Sequence, residues 1–310
     1  MLGFVLRRLA RAALTMLIVV AIAFAVLRLS ADPATVILGP DAPPAAIAAF
    51  RHAWGLDRPL WMQFGFYIAA LLDGDFGRSM INGATVLPLV LNRVPTTLSI
   101  MLPALLLAIG IGVPAGMFAA LRRNTFADRA VMIAAVAGFT VPSFVLGLVL
   151  VLVFAVELGW LPSGGNDHWY SAILPIVTLG TGAGAVLARF TRSAMVEVLG
   201  QPYILTASAK GLLWRVVIRR HALPNAAIPL VTMIGFMVGG LLAGAVVTES
   251  VFSWPGLGRL MVTSVGSRDL AVVQCILLLV SLMMVASNLT VDLVYGLIDP
   301  RLRHGERGRL

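Results

Sequence analysis

The sequence predicts an all-α membrane protein, a polytopic bundle of about six transmembrane helices with an insertion outside the membrane after the first helix. The composition indicates this class, because 59% of the 310 residues are hydrophobic and 12% are charged, whereas soluble domains carry about 25% charged residues. Apolar runs long enough to cross about 30 Å of hydrocarbon recur along the chain. The net charge of +9 comes from cations beside these runs, so it is attributed to membrane topology and not to nucleic-acid binding.

The first span is predicted within residues 1–29, where residues 12–27 carry no charge. A cleaved signal peptide is the alternative, but the apolar run is longer than a signal-peptide core, and Arg28 stands where a cleavage site needs neutral residues. Residues 30–96 contain several Pro and Gly turn signals. The apolar segment 60–72 is too short to span, so we expect an extracytoplasmic insertion with short helices, one of which lies on the membrane or on the bundle.

The predicted core transmembrane domain covers residues 97–300, and a basic cytoplasmic tail covers residues 301–310. The apolar runs of the core lie at 97–121, 131–156, 171–188, 226–247 and 271–297. With the first span they make six, and an even number places both termini on one side of the membrane. Sixteen of the 23 Lys and Arg residues fall on that side, which the positive-inside rule assigns to the cytoplasm.

Polar residues at about 189–225 separate two of these runs on the predicted cytoplasmic side. We call their loop portion, residues 196–225, the central stretch. It contains Lys210, which is the only lysine in the sequence. Gly211 is expected to divide the loop into two short helices, one ending at 208–211 and the other within 213–221.

The central stretch combines apolar side chains with cations, as expected of a surface that docks into a groove on another protein. Its candidate contact residues are Ala207, Ser208, Lys210, Gly211, Leu212, Leu213, Trp214 and Arg215. The alternative is a juxtamembrane basic loop that serves topology and binds anionic lipid. The length of the stretch favours docking, because cytoplasmic retention alone needs far fewer residues.

The junction between the central stretch and the following span is predicted at His221, Leu223 and Pro224. Proline fits the first turn of a helix, where its missing N–H costs nothing, and Pro229 follows one turn later. We therefore expect a stiff connection, through which a push on the loop moves a transmembrane helix as a body. Alternating access requires coupling of this kind.

Sequence signals for catalysis are absent. A Walker A loop needs a lysine directly after glycine, but Lys210 follows Ala209. The four histidines lack metal-ligand spacing, and there is no G-x-S-x-G elbow. Acids are scarce in the membrane-length segments, which argues against an ion-coupled carrier. We expect no catalytic residue, no metal site and no cofactor in this chain.

The central stretch resembles the cytoplasmic EAA loop of binding-protein-dependent ABC importer permeases. With Gly211 on the glycine of that pattern, Ala207, Leu223 and Pro224 occupy its Ala, Leu and Pro positions. Leu205, Thr206 and His221 depart from the pattern in place of Glu, Ala and Ile. The segments Ala209-Lys210-Gly211-Leu212 and Arg220-His221-Ala222-Leu223 are similar to the permeases of dipeptide, oligopeptide and nickel importers.

Further segments in matching order extend the resemblance over nearly the whole chain. They are Leu6-Arg7-Arg8, Gly55-Leu56-Asp57-Arg58-Pro59-Leu60, Gly74-Asp75-Phe76-Gly77-Arg78-Ser79, Arg93-Val94-Pro95-Thr96-Thr97-Leu98, Val141-Pro142-Ser143-Phe144, Gly159-Trp160-Leu161-Pro162, Ser253-Trp254-Pro255-Gly256-Leu257-Gly258-Arg259 and Asp299-Pro300-Arg301. Each is short, but together and in this order they are specific.

The resemblance implies a type I ABC importer transmembrane domain in the bacterial cytoplasmic (inner) membrane, which transports peptides or a related small solute. It implies a second homologous permease, two ATP-binding subunits that carry ATP and Mg, an extracytoplasmic substrate-binding protein and surrounding membrane lipid. In the family, a short coupling helix within the EAA loop sits in a cleft of the ATPase. The same role is therefore expected of the central stretch.

A second candidate site lies in the predicted outer loop. Trp254, Pro255 and Gly256 are expected to form a tight turn at the outer face, either as an interfacial anchor or as a contact for the binding protein or an outer gate. Glu249 lies near the outer end of the fifth span and either faces the pathway or pairs with Arg259. The alternative function for the whole chain is an ion-coupled secondary carrier or a channel that acts without an ATPase.

Overall fold

The computed structural model describes residues 2–30, 32–39 and 41–298. The predicted tail, residues 301–310, and the segment Asp299–Arg301 lie outside these residues. Within the described ranges the chain is α-helical, and the only β pairing is an isolated bridge between Arg78 and Thr85. The prediction of an all-α protein is confirmed.

The described residues form both short and long helices. The α-helices are α1 (Leu2–Ser30), α2 (Pro33–Leu38), α3 (Pro44–Ala53), α4 (Leu60–Leu72), α5 (Val86–Leu91), α6 (Val94–Leu121), α7 (Phe126–Thr140), α8 (Ser143–Leu150), α9 (Ile173–Leu199), α10 (Pro202–Ala209), α11 (Trp214–Val217), α12 (Leu223–Val251), α13 (Leu257–Gly266) and α14 (Leu270–Ile298). Two π-helical segments, Val151–Glu157 and Ile218–Ala222, and a 3₁₀ turn, Trp169–Ala172, complete them.

Several helical segments are long and apolar enough to cross a membrane. In the described part of the chain four qualify outright, and they lie at Val86–Leu121, Trp169–Leu199, Trp214–Val251 and Leu270–Thr290. A bent pair of helices, Phe126–Thr140 and Ser143–Glu157, makes a fifth if it is one span. Helix α1 has 29 residues, with an apolar stretch at Ala13–Val26.

The third predicted span is not one continuous helix. Helix α7 ends at Thr140, α8 begins at Ser143, and the pair is bent by 96°. Proline disfavours the helical conformation of the residue before it, and Val141, which precedes Pro142, is extended with ψ 120°. The expectation of a single helix over 131–156 is corrected for this reason.

Other predicted boundaries shift as well. Helix α9 continues to Leu199, so Arg189 and Arg192 lie on a helix and not in a loop after residue 188. The charge pattern predicts that the span ends at these arginines, but a helix accommodates an arginine when its stem packs and its head reaches a partner. The predicted loop 248–270 contains the end of α12 and the whole of α13, and only residues 252–256 and 267–269 lie outside helices.

The chain divides into two compact units. Unit one comprises Met1–Thr97 and Pro255–Val285, and unit two comprises Leu98–Trp254 and Ala286–Leu310. In unit one, α5 packs on α13 and α14 through buried residues that include Val86, Val90, Leu257 and Ile276. The carboxylate of Asp269, just before α14, accepts hydrogen bonds from Ser79 Oγ and from Met80 N, the latter at 3.1 Å. The insertion is therefore tied to the start of α14 by a buried carboxylate.

Unit two is organised around α9. Helices α7, α8 and α12 pack against it, and α6 approaches it through Gly112 and Gly116. A Cβ built on Gly112 would lie 2.6 Å from the carbonyl oxygen of Gly184, and one on Gly116 would lie 2.3 Å from that of Ala188. Small residues spaced four apart allow such close backbone contact between membrane helices. We call this contact the α6–α9 seam.

Candidate functional site

The inner face of the central stretch is buried against the ends of two long helices. Ile204 and Ala207 from α10, Val217 from α11 and Ala222 from the π-helical segment pack in one cluster, to which α6 and α9 contribute Ala120 and Met195. Ile204 is 2% exposed and Val217 is fully buried. The two short helices expected on either side of Gly211 are present, and this cluster holds them on unit two.

A left-handed glycine turns the chain between these two short helices. Helix α10 ends at Ala209, and the N–H groups of Lys210 and Gly211 donate to the carbonyls of Thr206 and Ser208 at 3.1 and 3.0 Å. Gly211 has φ +77°, and no heavy atom lies within 4 Å of a Cβ built there. Positive φ at low cost is available to glycine and, less readily, to asparagine. The backbone conformation, and not a lack of space, therefore requires glycine at this position.

The outer face of the central stretch is apolar at its tip and basic around it. Leu213 is 77% exposed and Trp214 is 52% exposed, while Leu212 is also exposed. The surrounding cations Lys210, Arg215, Arg219 and Arg220 are exposed. In the part of the chain that the structure describes, none of the four forms an ion pair. Ser208 and Pro224 are exposed, whereas Ala207 is buried and His221 and Leu223 are half-buried.

The junction with α12 is a continuous helical segment from Trp214 to Val251. One widened turn, Ile218–Ala222, precedes Pro224, and the N–H of Leu223 donates to the carbonyl of Ile218. The side chain of Asn225 donates from Nδ2 to the carbonyl of His221 at 2.7 Å, which gives that acceptor a partner. Proline removes a backbone donor from a helix, and the widened turn with its side-chain bond accommodates this loss without a break. The predicted junction is therefore helical throughout, and its stiffness stays a prediction.

An ion pair between α7 and α9 lies in the same unit, and the sequence analysis missed it. Arg192 donates to the two carboxylate oxygens of Asp128 from Nε at 2.5 Å and from Nη2 at 2.7 Å. Asp128 is 3% exposed and also accepts from the N–H of Asn124 at 3.0 Å. Thr125 caps α7 by accepting from the N–H of Asp128. The sequence signal for this site was Asp128 itself, an acid three residues after the helix-capping Thr125. Its partner, Arg192, could not be identified from the sequence because it lies 64 residues away.

A cavity of about 470 Å³ lies among α7, α8, α9 and α12 in unit two. Val141, Pro142 and Ser143 form one wall of it, so the break in the third span shapes the cavity directly. The other walls are mainly apolar, with Met233, Phe236 and glycines such as Gly240. Its size falls within the range of small-molecule pockets in proteins.

The outer-loop candidates lie in different environments. In unit two, Glu249 is fully buried, Trp254 is 5% exposed, and the N–H of Trp254 donates to the carbonyl of Glu249 at 2.8 Å. The tight turn occurs just before the expected position, where Ser253 has φ +51°. In unit one, the Pro255 carbonyl accepts from Arg93 Nη1 at 3.0 Å, and Gly256 precedes the first residue of α13. Sequence alone did not indicate this burial.

The described residues contain no group of three or more His, Cys, Asp or Glu side chains that could hold a metal ion. Cys275 is a buried free thiol in unit one.

Comparison with known families identifies the chain. Residues 112–304 match the family described as "binding-protein-dependent transport system inner membrane component", and residues 1–101 match the N-terminal part of such membrane components. The chain belongs to this family of transport permeases. The resemblance drawn from the EAA-type loop is therefore confirmed, and the protein is a multi-pass permease subunit of the inner membrane.

Curated relatives match the permease over its full length. The glutathione transport system permease proteins GsiC of Salmonella choleraesuis (strain SC-B67) and of Escherichia coli (strain K12) are each 45% identical to it over 305 residues, which is 98% of this chain and 100% of theirs.

Solved structures support the fold of the permease. A chain of the MetNI methionine ABC transporter in an inward-facing conformation has a TM-score of 0.59 and 21% identity, and the match covers 68% of this chain and 96% of that one. A second structure of the same transporter, from a crystal soaked with selenomethionine, gives a TM-score of 0.57 at 20% identity. The predicted type I importer fold is confirmed.

Proposed function

We propose that this permease imports glutathione, peptides or a related small solute, and that separate ATPase subunits drive it through the central stretch. Family membership and the 45% identity to glutathione transport permeases support the solute class. The outer face of the central stretch, an exposed apolar tip within a basic rim, is the observation that carries the ATPase contact. The proposed contact residues are those predicted from sequence, of which Ala207 supports the surface from within.

The proposed contact suits a groove on another protein for two reasons. Exposed Leu213 and Trp214 offer apolar area of the kind that anchors protein interfaces. The four cations around them, which form no ion pair within the described part of the chain, favour an acidic rim on the partner that would increase the association rate and fix the orientation. A loop that only retained cations in the cytoplasm would need neither the apolar tip nor the packed inner face.

Force on the central stretch has a direct path to the membrane helices. Its inner face is packed on the ends of α6 and α9, and its second half continues into α12 without a break. A displacement of the tip therefore moves α12 as a body against α9. We propose that this movement alternates the access of the solute pathway, and that the 470 Å³ cavity among α7, α8, α9 and α12 belongs to that pathway.

The proposed assembly contains a second homologous permease, two ATP-binding subunits that hold ATP and Mg, and an extracytoplasmic substrate-binding protein. Both termini of this chain are proposed to be cytoplasmic, as the distribution of Lys and Arg favours. The insertion, residues 30–96, and half-buried Pro255 are the proposed contacts for the binding protein. Glu249 and Trp254 are buried, so we propose that they support an outer gate from within.

The test compares two exposed tryptophans of unit two. Trp214→Ala removes an anchor of the central stretch, and Trp169→Ala is the matched control, because Trp169 is 82% exposed and lies outside the stretch. We expect Trp214→Ala to weaken ATPase docking about tenfold or more. Solute-stimulated ATP hydrolysis by the complete transporter, reconstituted in lipid, should fall accordingly, and Trp169→Ala should leave it unchanged.

Two outcomes would overturn the proposal. Equal stimulation in wild type and Trp214→Ala would remove the central stretch from the ATPase contact. Uptake by this chain without ATPase subunits, driven by an ion gradient, would favour the secondary carrier instead.

A further inference from the structure

A second cavity, of about 390 Å³, lies within unit one and is lined by cations. It is formed by the last turn of α1, the connection from α3 to α4, the inner side of α4, and the first turns of α14. Arg28, Arg58 and Arg78 line it together with one carboxylate, that of Asp75. The cavity therefore carries a net positive charge and suits an anion.

Three residues that line this cavity carry buried polar atoms without a partner among the described residues. Among the residues the structure describes, Nε and Nη1 of Arg28, Nε2 of Gln274 and Oε1 of Gln63 are buried and accept or donate no hydrogen bond. Gln274 is only 6% exposed. The Gln63 amide nitrogen, in contrast, donates to the carbonyl of Arg58 at 2.6 Å. Buried polar groups are nearly always paired in folded proteins, so three unpartnered donors and one unpartnered acceptor on residues that line one cavity point to a partner from outside the chain.

Among the described residues, none of the three cavity arginines forms an ion pair with a carboxylate, and two of their guanidinium groups lie over aromatic rings. The Arg58 guanidinium lies 4.9 Å from the centre of the Phe66 ring, and that of Arg28 lies 5.5 Å from the centre of the Phe24 ring. Asp75 uses Oδ1 to accept from the N–H of Gly77 at 2.8 Å, within its own turn. Guanidinium groups on aromatic faces keep their N–H donors available, and they bind phosphate with two parallel hydrogen bonds.

The position of the cavity favours a lipid as the carrier of the anion. Arg28 is in the last turn of α1 and Gln274 is near the start of α14, so both lie near ends of apolar helices, where headgroups are expected. Helix α4 flanks the cavity and has no buried residue. Trp61 is 73% exposed, Phe66 56% and Leu72 84%, which leaves an apolar surface for acyl chains beside a basic pocket.

We propose that this cavity binds the headgroup of an anionic phospholipid, specifically phosphatidylglycerol. The phosphodiester accepts from Arg28 and from Gln274 Nε2, with Arg58 and Arg78 at the rim. A glycerol hydroxyl of the headgroup donates to Gln63 Oε1, and the acyl chains lie along α4. This chemistry accounts for the unpartnered acceptor as well as for the unpartnered donors, whereas a phosphodiester without a headgroup hydroxyl would supply no donor for Gln63 Oε1.

The experiment measures lipid binding by the purified transporter complex in detergent. Phosphatidylglycerol, phosphatidylcholine and inorganic phosphate are each titrated while the thermal midpoint and the apparent affinity are recorded. The double variant Arg58→Gln with Arg78→Gln should weaken the binding of phosphatidylglycerol about thirtyfold, because the attraction of both arginines to the anionic lipid is lost. Arg122→Gln is the matched control, because Arg122 is also exposed and lies 4.4 Å from the centre of a phenylalanine ring, Phe118, but does not line the cavity.

Gln274→Leu separates binding from folding. Without added lipid its thermal midpoint should equal or exceed that of wild type, because a buried amide without a partner is replaced by an apolar group. With phosphatidylglycerol the extra rise seen in wild type should be reduced. Three results would each overturn the assignment to a phospholipid. The first is an equal rise of the thermal midpoint with phosphatidylglycerol and with phosphatidylcholine. The others are an unchanged affinity for phosphatidylglycerol in the arginine double variant and in Gln274→Leu, or the same stabilisation by inorganic phosphate alone.

Discussion

Glycine serves opposite purposes in two regions of unit two, the α6–α9 seam and the central stretch. At the seam, Gly116 is required because the carbonyl of Ala188 would lie 2.3 Å from a Cβ. In the central stretch, Gly211 has open space around it and is required by its φ of +77°. The first glycine brings two helices together, and the second turns a surface loop.

The two regions also differ in whether their charged side chains are paired. The carboxylate of Asp128, near the seam, is buried and satisfied by Arg192, whereas the cations of the central stretch are exposed and unpaired among the described residues. The comparison indicates that the helix contacts of unit two are fixed internally. The cations on the outer face of the central stretch instead have no ion-pair partner among the described residues, as the proposed ATPase contact requires.

A side chain added between α6 and α9 at the seam should have the largest effect on stability. Gly116→Ala places a methyl group against the backbone of α9, which cannot rotate away as a side chain would, so we expect a loss of about 3 kcal/mol of stability. Gly110→Ala is the control on the same helix, because no atom lies within 4 Å of its Cβ, and it should be neutral or gain up to about 1 kcal/mol. Thermal unfolding of the purified protein in detergent measures both, and equal midpoints for the two variants would contradict the seam.

Breaking the buried ion pair should have the next largest effect. Asp128→Ala leaves Arg192 without its partner and removes an acceptor at the start of α7. We expect a loss of about 2 kcal/mol, below the cost for a deeply buried pair, because Arg192 is 27% exposed. Arg51→Ala is the control, since it breaks the exposed pair with Asp32 and should cost less than about 1 kcal/mol.

The double variant Asp128→Leu with Arg192→Met sharpens this second test. Replacing both partners of a buried pair by apolar residues is often close to neutral. The double variant should therefore be more stable than Asp128→Ala in the same unfolding measurement. If it is less stable, the pair has a role beyond compensating a buried charge.

Changing the turn at Gly211 should affect stability least and coupling most. Gly211→Val imposes about 1–2 kcal/mol of backbone strain at positive φ without a steric clash, so the turn relaxes and the tip moves. We expect solute-stimulated ATP hydrolysis to fall while the thermal midpoint changes little. Gly211→Asn, which tolerates positive φ, should keep most of the activity. Equal activity in both variants would show that the geometry of the turn does not matter.

The sequence predicted elements best where local chemistry decides the structure. Helix α4 begins and ends where the apolar segment 60–72 was predicted, and the two short helices about Gly211 follow from a helix stop and a turn signal. The long apolar spans were found because each must satisfy its own backbone hydrogen bonds in lipid. The approximate ends of these helices are set by residues that lie only a few positions apart in the sequence.

The errors occurred where distant residues decide the structure. Helix α9 runs past Arg189 and Arg192 because Arg192 meets an acid on another helix, and no pattern within α9 signals that partner. The 96° bend at Pro142 was visible only as a proline, since many membrane helices contain proline without such a bend. The burial of Glu249 and Trp254 likewise depends on packing.

The sequence by itself determined the membrane class, the order of the helices and the family, because hydrophobic transfer and turn chemistry act over neighbouring residues. Only the tertiary structure decided which charges are paired and which remain available. Arg192 is paired with Asp128. Arg28 and Gln274, which line a cavity, have donors without a partner among the described residues. The role of a charged or polar group depends on the atoms that folding brings within a few ångströms of it, and these come from parts of the chain far apart in sequence.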